Sequence, residues 1–253
     1  MLLRRVIRHV RNQEWAAIAI DFVIVVVGVF IGIQAANWNE ARADQARGRG
    51  YLERIHSDLE ADLANYQNRI RFWRAVSDYG RTGLAYADTG HLGNRTNWDL
   101  LLAYFQASQV AEFWTNSTTY DELRSAGELN LITNLKLRNA LARYYTNAGN
   151  PALTERPAYR EHVRGEIPID VQLYIWTKCY GSNALGDQFL RNCPSPISEG
   201  AAAEIVNRIG GNRPLMSELR YWMSTMQVAS QIGRDSMTLA KISLASVDEE
   251  LAN

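Results

Sequence analysis

The sequence has few of the residues that build catalytic and metal centres. Its 253 residues include only four histidines, scattered singly, and two cysteines. A metal site needs several such ligands close together, which this supply makes hard to assemble. Motifs for a nucleophile elbow, a phosphate-binding loop, a dinucleotide fold and a zinc protease are absent as well. We therefore expect a non-catalytic protein without metal or cofactor.

The sequence also lacks an excess of acidic or of basic residues. Acidic and basic residues number 27 each, so the formal net charge is +0. A basic field that would attract nucleic acid is therefore missing, and we expect no nucleic-acid partner. Internal repeats and low-complexity linkers are missing too. This indicates a single soluble domain beside any membrane segment.

One long hydrophobic run lies near the N-terminus. Residues 15–33 read WAAIAIDFVIVVVGVFIGI, in which Asp21 is the only charge. About 20 such residues, at about 1.5 Å each, cross a bilayer core of about 30 Å. Trp15 and Trp38 bracket the run, as aromatic residues do at membrane interfaces. The pattern predicts a transmembrane helix over 15–38, with the lipid bilayer as its partner.

Two alternatives account for such a run, a buried core helix and a cleaved signal peptide. A basic segment precedes the run, and Ala41, Arg42 and Ala43 resemble a signal-peptidase site. The run is longer than an ordinary signal-peptide core and more uniformly apolar than a core helix. An uncleaved anchor is therefore favoured. The basic residues before the run are Arg4, Arg5, Arg8 and Arg11.

Those four arginines also predict the orientation of the anchor. After the run come three arginines, diluted by Glu40 and Asp44. The positive-inside rule then places segment 1–14 in the cytoplasm. Residues 39–253 are expected to form a periplasmic domain, at the inner membrane of a Gram-negative bacterium.

One face of the predicted span is suited to helix packing. Asp21, Gly28 and Ala35 are seven residues apart and therefore share a side of the helix. Gly28 and Gly32 form a small-xxx-small pair that Ala36 extends by one turn, and such pairs let a second helix approach closely. The alternative is background glycine, with Asp21 protonated or reaching interfacial water. We expect this face to bind another transmembrane subunit or a copy of the chain itself.

Helical periodicity dominates the rest of the chain. Residues 214–251 carry apolar or small residues at alternating spacings of four and three, which predicts a long helix. A second seam starts at Leu52 and continues the span outward, with Gly48 and Gly50 as its expected weak point. Shorter helices are predicted from Asn97, over 116–126 before Gly127, and over 133–147. These patterns predict an all-α fold, an antiparallel helical bundle in which the two long helices lie side by side.

Three further predictions concern individual residues. His56, Asp58, Glu60 and Asp62 fit a solvated charged helix face better than the alternative, a metal site. Cys179 and Cys193 lie in a loop-like stretch, where a periplasmic location favours a disulfide over two free thiols. Aromatic residues in the middle of the chain either line a small-ligand pocket or belong to the core. They are Trp114, Tyr120, Tyr144 and Tyr145.

Two stretches resemble an uncharacterised family of small single-span membrane proteins of proteobacteria and their relatives. The first reads LLRRVIRHVRNQEWAAIAIDFVIVVVGVFIGIQAANWNEARAD and combines the elements QEW, IDF, GVFIG and NWNEAR. The second, over 119–145, reads TYDELRSAGELNLITNLKLRNALARYY. The resemblance implies a membrane anchor whose Asp21 and glycine face belong to a common plan, and it implies no activity.

Two functional hypotheses follow. The first is an accessory subunit that docks on a larger inner-membrane complex, such as a photosynthetic or respiratory one, through its transmembrane helix and outer domain. The second is a periplasmic helical bundle that senses a ligand and signals sideways through a partner membrane protein. An enzyme acting on the cell wall or on lipid is a third and weaker candidate.

Overall fold

The computed structural model describes residues 15–147, 156–184 and 186–252. Most of them are helical, which confirms the all-α class. Helix α1 spans Trp15–Thr89, α2 Asn97–Ala107, α3 Thr118–Ser125, α4 Leu135–Asn147, α5 Ala158–Gly165, α6 Ile169–Lys178, α7 Glu199–Gly211 and α8 Arg213–Ala252. A 3₁₀ helix covers Leu129–Leu131, and strands β1 (Tyr180–Ser182) and β2 (Gln188–Leu190) form one antiparallel hairpin.

The long helices α1 and α8 form the antiparallel pair that the two seams predict. Trp73 of α1 packs against Gly233 of α8, where an added Cβ would lie 2.8 Å from the indole ring. His56 pairs with Asp248 at 2.9 Å near the end of α8. The predicted small and apolar positions of α8 are all buried: Leu215, Leu219, Trp222, Met226, Ala229, Gly233, Ser236, Ala240, Ser243 and Val247.

Helix α2 is the central helix of the domain. Its residues Trp98 and 100–107 are all buried, because α1, α5 and α7 pack around it. Thr96 begins the helix through a capping box with Asp99, whose side chain accepts the Thr96 backbone N–H at 2.8 Å. A helix that is hydrophobic around most of its circumference has no face suited to water, so it is stable where other helices cover it on all sides.

Helix α1 continues without interruption past residue 38 and past both glycines of the expected weak point. Its 75 residues correspond to about 110 Å of helix. Gly48 does not break the helix. A glycine is needed there for close packing, because an added Cβ would lie only 2.8 Å from the Leu131 carbonyl oxygen. The expectation of a weak point there was wrong, since the domain packs on α1 from this residue onward.

Other boundaries differ by a few residues, and three helices were not predicted. Helix α3 begins at Thr118 and α4 at Leu135, whereas Gly127 ends α3 with φ +72° as expected. The backbone N–H of Glu128 donates to the Leu123 carbonyl at 3.0 Å, which completes a Schellman motif. Helices α5, α6 and α7 and the hairpin occupy a region in which the sequence showed only a loop-like stretch.

Candidate interaction site on the first helix

The first part of α1 is exposed along its length. Residues 19–43 are all exposed, and the most apolar 18-residue window of the helix has a mean hydropathy of 2.5 with none of it buried. The helix therefore passes the length and composition test for a membrane span. By the same test a signal sequence or a core helix also qualifies, although a core helix is mostly buried.

The predicted packing face lies entirely on this exposed segment. Asp21, Ala35 and Ala36 are exposed, and Cβ atoms added at Gly28 and Gly32 would meet nothing within 4 Å. At Gly80 and Gly83 of the domain, by contrast, added Cβ atoms would collide with Met223 and Tyr104. Contacts within the chain therefore explain those two glycines, whereas Gly28 and Gly32, like Gly50, meet no neighbour.

The two bracketing tryptophans are exposed as well. Trp15 has an exposed fraction of 69% and Trp38 of 61%. The Arg42 guanidinium lies over the Trp38 ring, 4.8 Å from its centroid, which gives this end of the run an aromatic and a cationic group together. The four N-terminal arginines and segment 1–14 lie outside the described residues.

The domain meets α1 at its base through a charged collar, which we define as Arg47, Tyr51, Arg54, Glu122 and Glu128. The Tyr51 hydroxyl donates to Glu128 at 2.8 Å, and Arg54 pairs with Glu122 at 2.8 Å. Hydrogen bonding to Glu128 raises the pKa of Tyr51. Residue spacing could not predict this collar, because its Tyr51–Glu128 and Arg54–Glu122 contacts join residues that are 77 and 68 positions apart.

A cleft of about 570 Å³ opens beside the collar. It lies between α1, the 3₁₀ helix and the end of α8, and Asp44, Arg49 and Glu250 are among its polar lining residues. The cleft begins about one turn beyond Trp38. The cleft therefore lies at the end of the domain that is nearest along α1 to the apolar segment.

Asp62 is an exception to the predicted charged face, because its side chain is fully buried. Its Oδ1 accepts the backbone and side-chain N–H groups of Asn116, each at 2.9 Å, and its Oδ2 accepts the Tyr144 hydroxyl at 2.7 Å. Burial raises the pKa of Asp62, and these hydrogen bonds oppose the rise. This carboxylate fastens the loop before α3, together with α4, to the side of α1.

The aromatic residues in the middle of the chain divide between core and surface. Tyr144 and Tyr120 are buried, and Tyr145 stacks on Tyr120 with ring centroids 4.5 Å apart. Trp114, in contrast, is 67% exposed. The core interpretation therefore describes Tyr120 and Tyr144, and Trp114 lies at the surface.

Cys179 and Cys193 are joined as a disulfide, with Cα atoms 5.3 Å apart. The bond closes a loop that contains the β1–β2 hairpin and starts at the end of α6. The Cys179 carbonyl also accepts the Gln106 side chain at 2.9 Å, which links the loop to α2.

Titratable groups in the described part of the chain form no cluster of three or more potential metal ligands. His162 and Glu218 form an exposed pair at 2.9 Å, and hydrogen bonding to Glu218 raises the pKa of His162. Comparison with protein-family models, curated proteins and solved structures finds no match. The family resemblance and the absence of catalysis thus stay predictions.

Proposed function

We propose that this chain is a non-catalytic accessory subunit, anchored in a bacterial inner membrane and docked on a larger membrane-protein complex. Its N-terminus lies in the cytoplasm and its helical domain in the periplasm. The observation that carries the proposal is the bare apolar segment of α1, which leads directly into the helix at the core of the domain. A photosynthetic or respiratory assembly is the kind of host that such a subunit fits.

The physical argument begins with the solvation of this segment. Large side chains such as Phe22, Ile24 and Phe30 are more than half exposed. Apolar surface in water costs about 25 cal/mol per Å², and monomers in water rarely expose patches above a few hundred Å². A bilayer removes the whole surface from water, whereas a groove on a soluble partner would cover one side only.

The second step concerns the polar and small residues within the segment. Lipid solvates leucine and valine equally well on every side of a helix, and a glycine that faces lipid adds no favourable contact. Gly28 and Gly32 make sense where a second helix approaches, and Asp21 on the same side gains a partner or shared water there. A neighbouring transmembrane helix accounts for all three residues together.

The orientation is tested with single cysteines and a membrane-impermeant maleimide. Asn94→Cys lies in the exposed loop after α1, and Asn12→Cys reports on the cytoplasmic segment. We expect Asn94→Cys to react in intact spheroplasts and Asn12→Cys to react only after lysis. The reverse pattern would invert the topology, and reaction of both in a soluble fraction would refute the anchor.

Docking is tested by extraction from native membranes in mild detergent, followed by native gels and mass spectrometry of every band. We expect migration with a large complex at fixed stoichiometry. Gly28→Leu with Gly32→Leu should release the chain, whereas Val26→Leu, on the opposite face of the helix, should not. Migration of the wild-type chain alone, or an unchanged complex with the double variant, would refute docking through this face.

A ligand-sensing bundle is the second candidate. One observation favours it: α1 is unbroken, so a shift of the domain would reach the span directly. A metabolite that raises the melting temperature of the domain and alters the labelling of α1 would support sensing, and a broad panel without effect would count against it.

A further inference from the structure

Two arginines of α5 converge on the residues that follow α2. Arg160 donates to the Ser108 carbonyl at 2.7 Å, and Arg164 donates to the Ser108 hydroxyl at 3.0 Å. Both also reach the Oε1 atom of Gln109, at 3.4 and 3.2 Å. Two guanidinium groups that share one amide oxygen necessarily lie close to each other.

The partners of both guanidiniums are neutral. In residues 15–147, 156–184 and 186–252, no carboxylate forms an ion pair with Arg160 or Arg164, and Glu166 of the same region pairs with Arg208 at 2.7 Å instead. The C-terminal end of α2 supplies part of the missing negative charge, about half an elementary charge. The two positive charges of Arg160 and Arg164 therefore exceed the partial negative charge that the end of α2 supplies.

The electrostatics of the cluster agree with this lack of negative charge. Burial, and after it the charge of Arg160, lower the pKa of Arg164 to about 9. Burial also lowers the pKa of Arg160, and the nearby Arg156 adds to this effect. Three like charges are held together here without a counter-ion in the described part of the chain, an arrangement that an incoming anion would relieve.

Aromatic rings hold the inner guanidinium in place. The Arg164 guanidinium lies 4.7 Å from the centroid of Phe105 and 5.0 Å from that of Trp176. Both arginines are half-buried. Their hydrogen bonds within the described residues use Nη1 of Arg160 and Nε and Nη2 of Arg164, which leaves Nη2 of Arg160 and Nη1 of Arg164 without an acceptor there. Fixed guanidiniums with open N–H groups match the geometry of phosphate and carboxylate oxygens.

We propose that Arg160 and Arg164, with Arg156 beside them, bind a small oxyanion, the phosphate or carboxylate group of a solute. Gln109, which both arginines reach, donates to Gln106, and Gln106 donates to the Cys179 carbonyl at the start of the hairpin. Arg69 of α1 donates to the Gly186 carbonyl in the turn of that hairpin, so the site lies near the level of Arg69. That level is about 45 Å along the helix from Trp38. An upright anchor would hold the site beyond lipid headgroups, which favours a dissolved ligand. The oxyanion site itself does not depend on the proposed function, whereas the choice of a dissolved ligand over a lipid headgroup rests on the proposed anchor.

The test uses the full chain in mild detergent and titrates inorganic phosphate, citrate and, at matched ionic strength, sodium chloride. Binding is followed by calorimetry and by thermal unfolding. We expect phosphate or citrate to raise the melting temperature with saturation, and chloride to have no comparable effect. The oxyanion that binds identifies the preferred group, and binding of neither overturns the proposal.

Variants locate the site. Arg164→Gln and Arg160→Gln should each weaken binding about tenfold or more, because each removes a charge-assisted contact. Arg156→Gln removes an exposed charge and keeps the packing intact, so its affinity for the anion can be measured even if the other two variants fail to fold. We expect this substitution to weaken binding several-fold. Arg81→Gln, on the exposed surface of α1, is the matched control. Equal affinity in Arg156→Gln, Arg81→Gln and the wild type would overturn the proposal.

Discussion

The neighbouring glycines of α1 make the sharpest stability prediction, because the sequence treats them alike and the structure separates them. Helix propensity alone predicts that Gly48→Ala and Gly50→Ala each stabilise the protein by about 0.5–1 kcal/mol. An added Cβ at Gly50 meets nothing within 4 Å, so this gain should be realised in full. At Gly48 the Cβ would lie 2.8 Å from the Leu131 carbonyl oxygen, which is backbone and cannot rotate away.

Overpacking of this kind costs about 1–3 kcal/mol, which exceeds the propensity gain. We expect Gly48→Ala to destabilise the domain by about 1 kcal/mol, and the two variants to differ by about 2 kcal/mol. For a domain of this size that difference corresponds to roughly 4–8 °C in melting temperature. The assay is urea and thermal unfolding of the full chain in detergent, followed by tryptophan fluorescence. Equal stabilisation by both substitutions would refute the docking of the 3₁₀ helix on α1.

Three further predictions concern the domain core. Burial raises the pKa of Asp62, so the folded protein binds this proton more tightly than the unfolded chain does. The resulting contribution to the free energy of unfolding is fully present below the ordinary pKa of aspartate, and it is lost as the pH rises through the raised pKa of the folded state. Urea titrations at several pH values should therefore show the wild type losing stability relative to Asp62→Asn as pH rises, and a constant difference would contradict this. Reduction of the Cys179–Cys193 disulfide should cost about 3 kcal/mol, measured by denaturation with and without reductant, while the double serine variant should not respond. Trp222→Phe should cost about 1–3 kcal/mol, because the Ala107 carbonyl loses its indole donor at 2.9 Å; an unchanged urea midpoint would show that this bond is dispensable.

Much of the framework was predictable from residue spacing. The α8 seam placed ten residues in the core, and all ten are buried, because a helix that packs along one partner must repeat its contacts every three or four residues. The bare apolar run and the αL glycine after α3 could be predicted for equally local reasons. Hydropathy and backbone preference depend on the residue and its immediate neighbours alone.

The region between α4 and α8 could not be predicted in this way. Helices α5 and α6 have eight and ten residues, too short to establish a period, and the hairpin has only three residues in each strand. Arg160 and Arg164 have the four-residue spacing of neighbours on one helix face, which is a usable signal. That spacing does not reveal that the face meets the end of α2, where no carboxylate of the described residues pairs with it.

The sequence by itself determined the helical class, the antiparallel pairing of the long helices and the apolar segment, since each depends on periodicity along one stretch of chain. Tertiary structure alone decided the meaning of single residues. Asp62 is a buried tether and not a solvated charge, Gly48 is a packing requirement and not a weak point, and the α5 arginines face neutral partners. The physical reason is that desolvation, steric contact and charge balance depend on atoms that are distant in sequence.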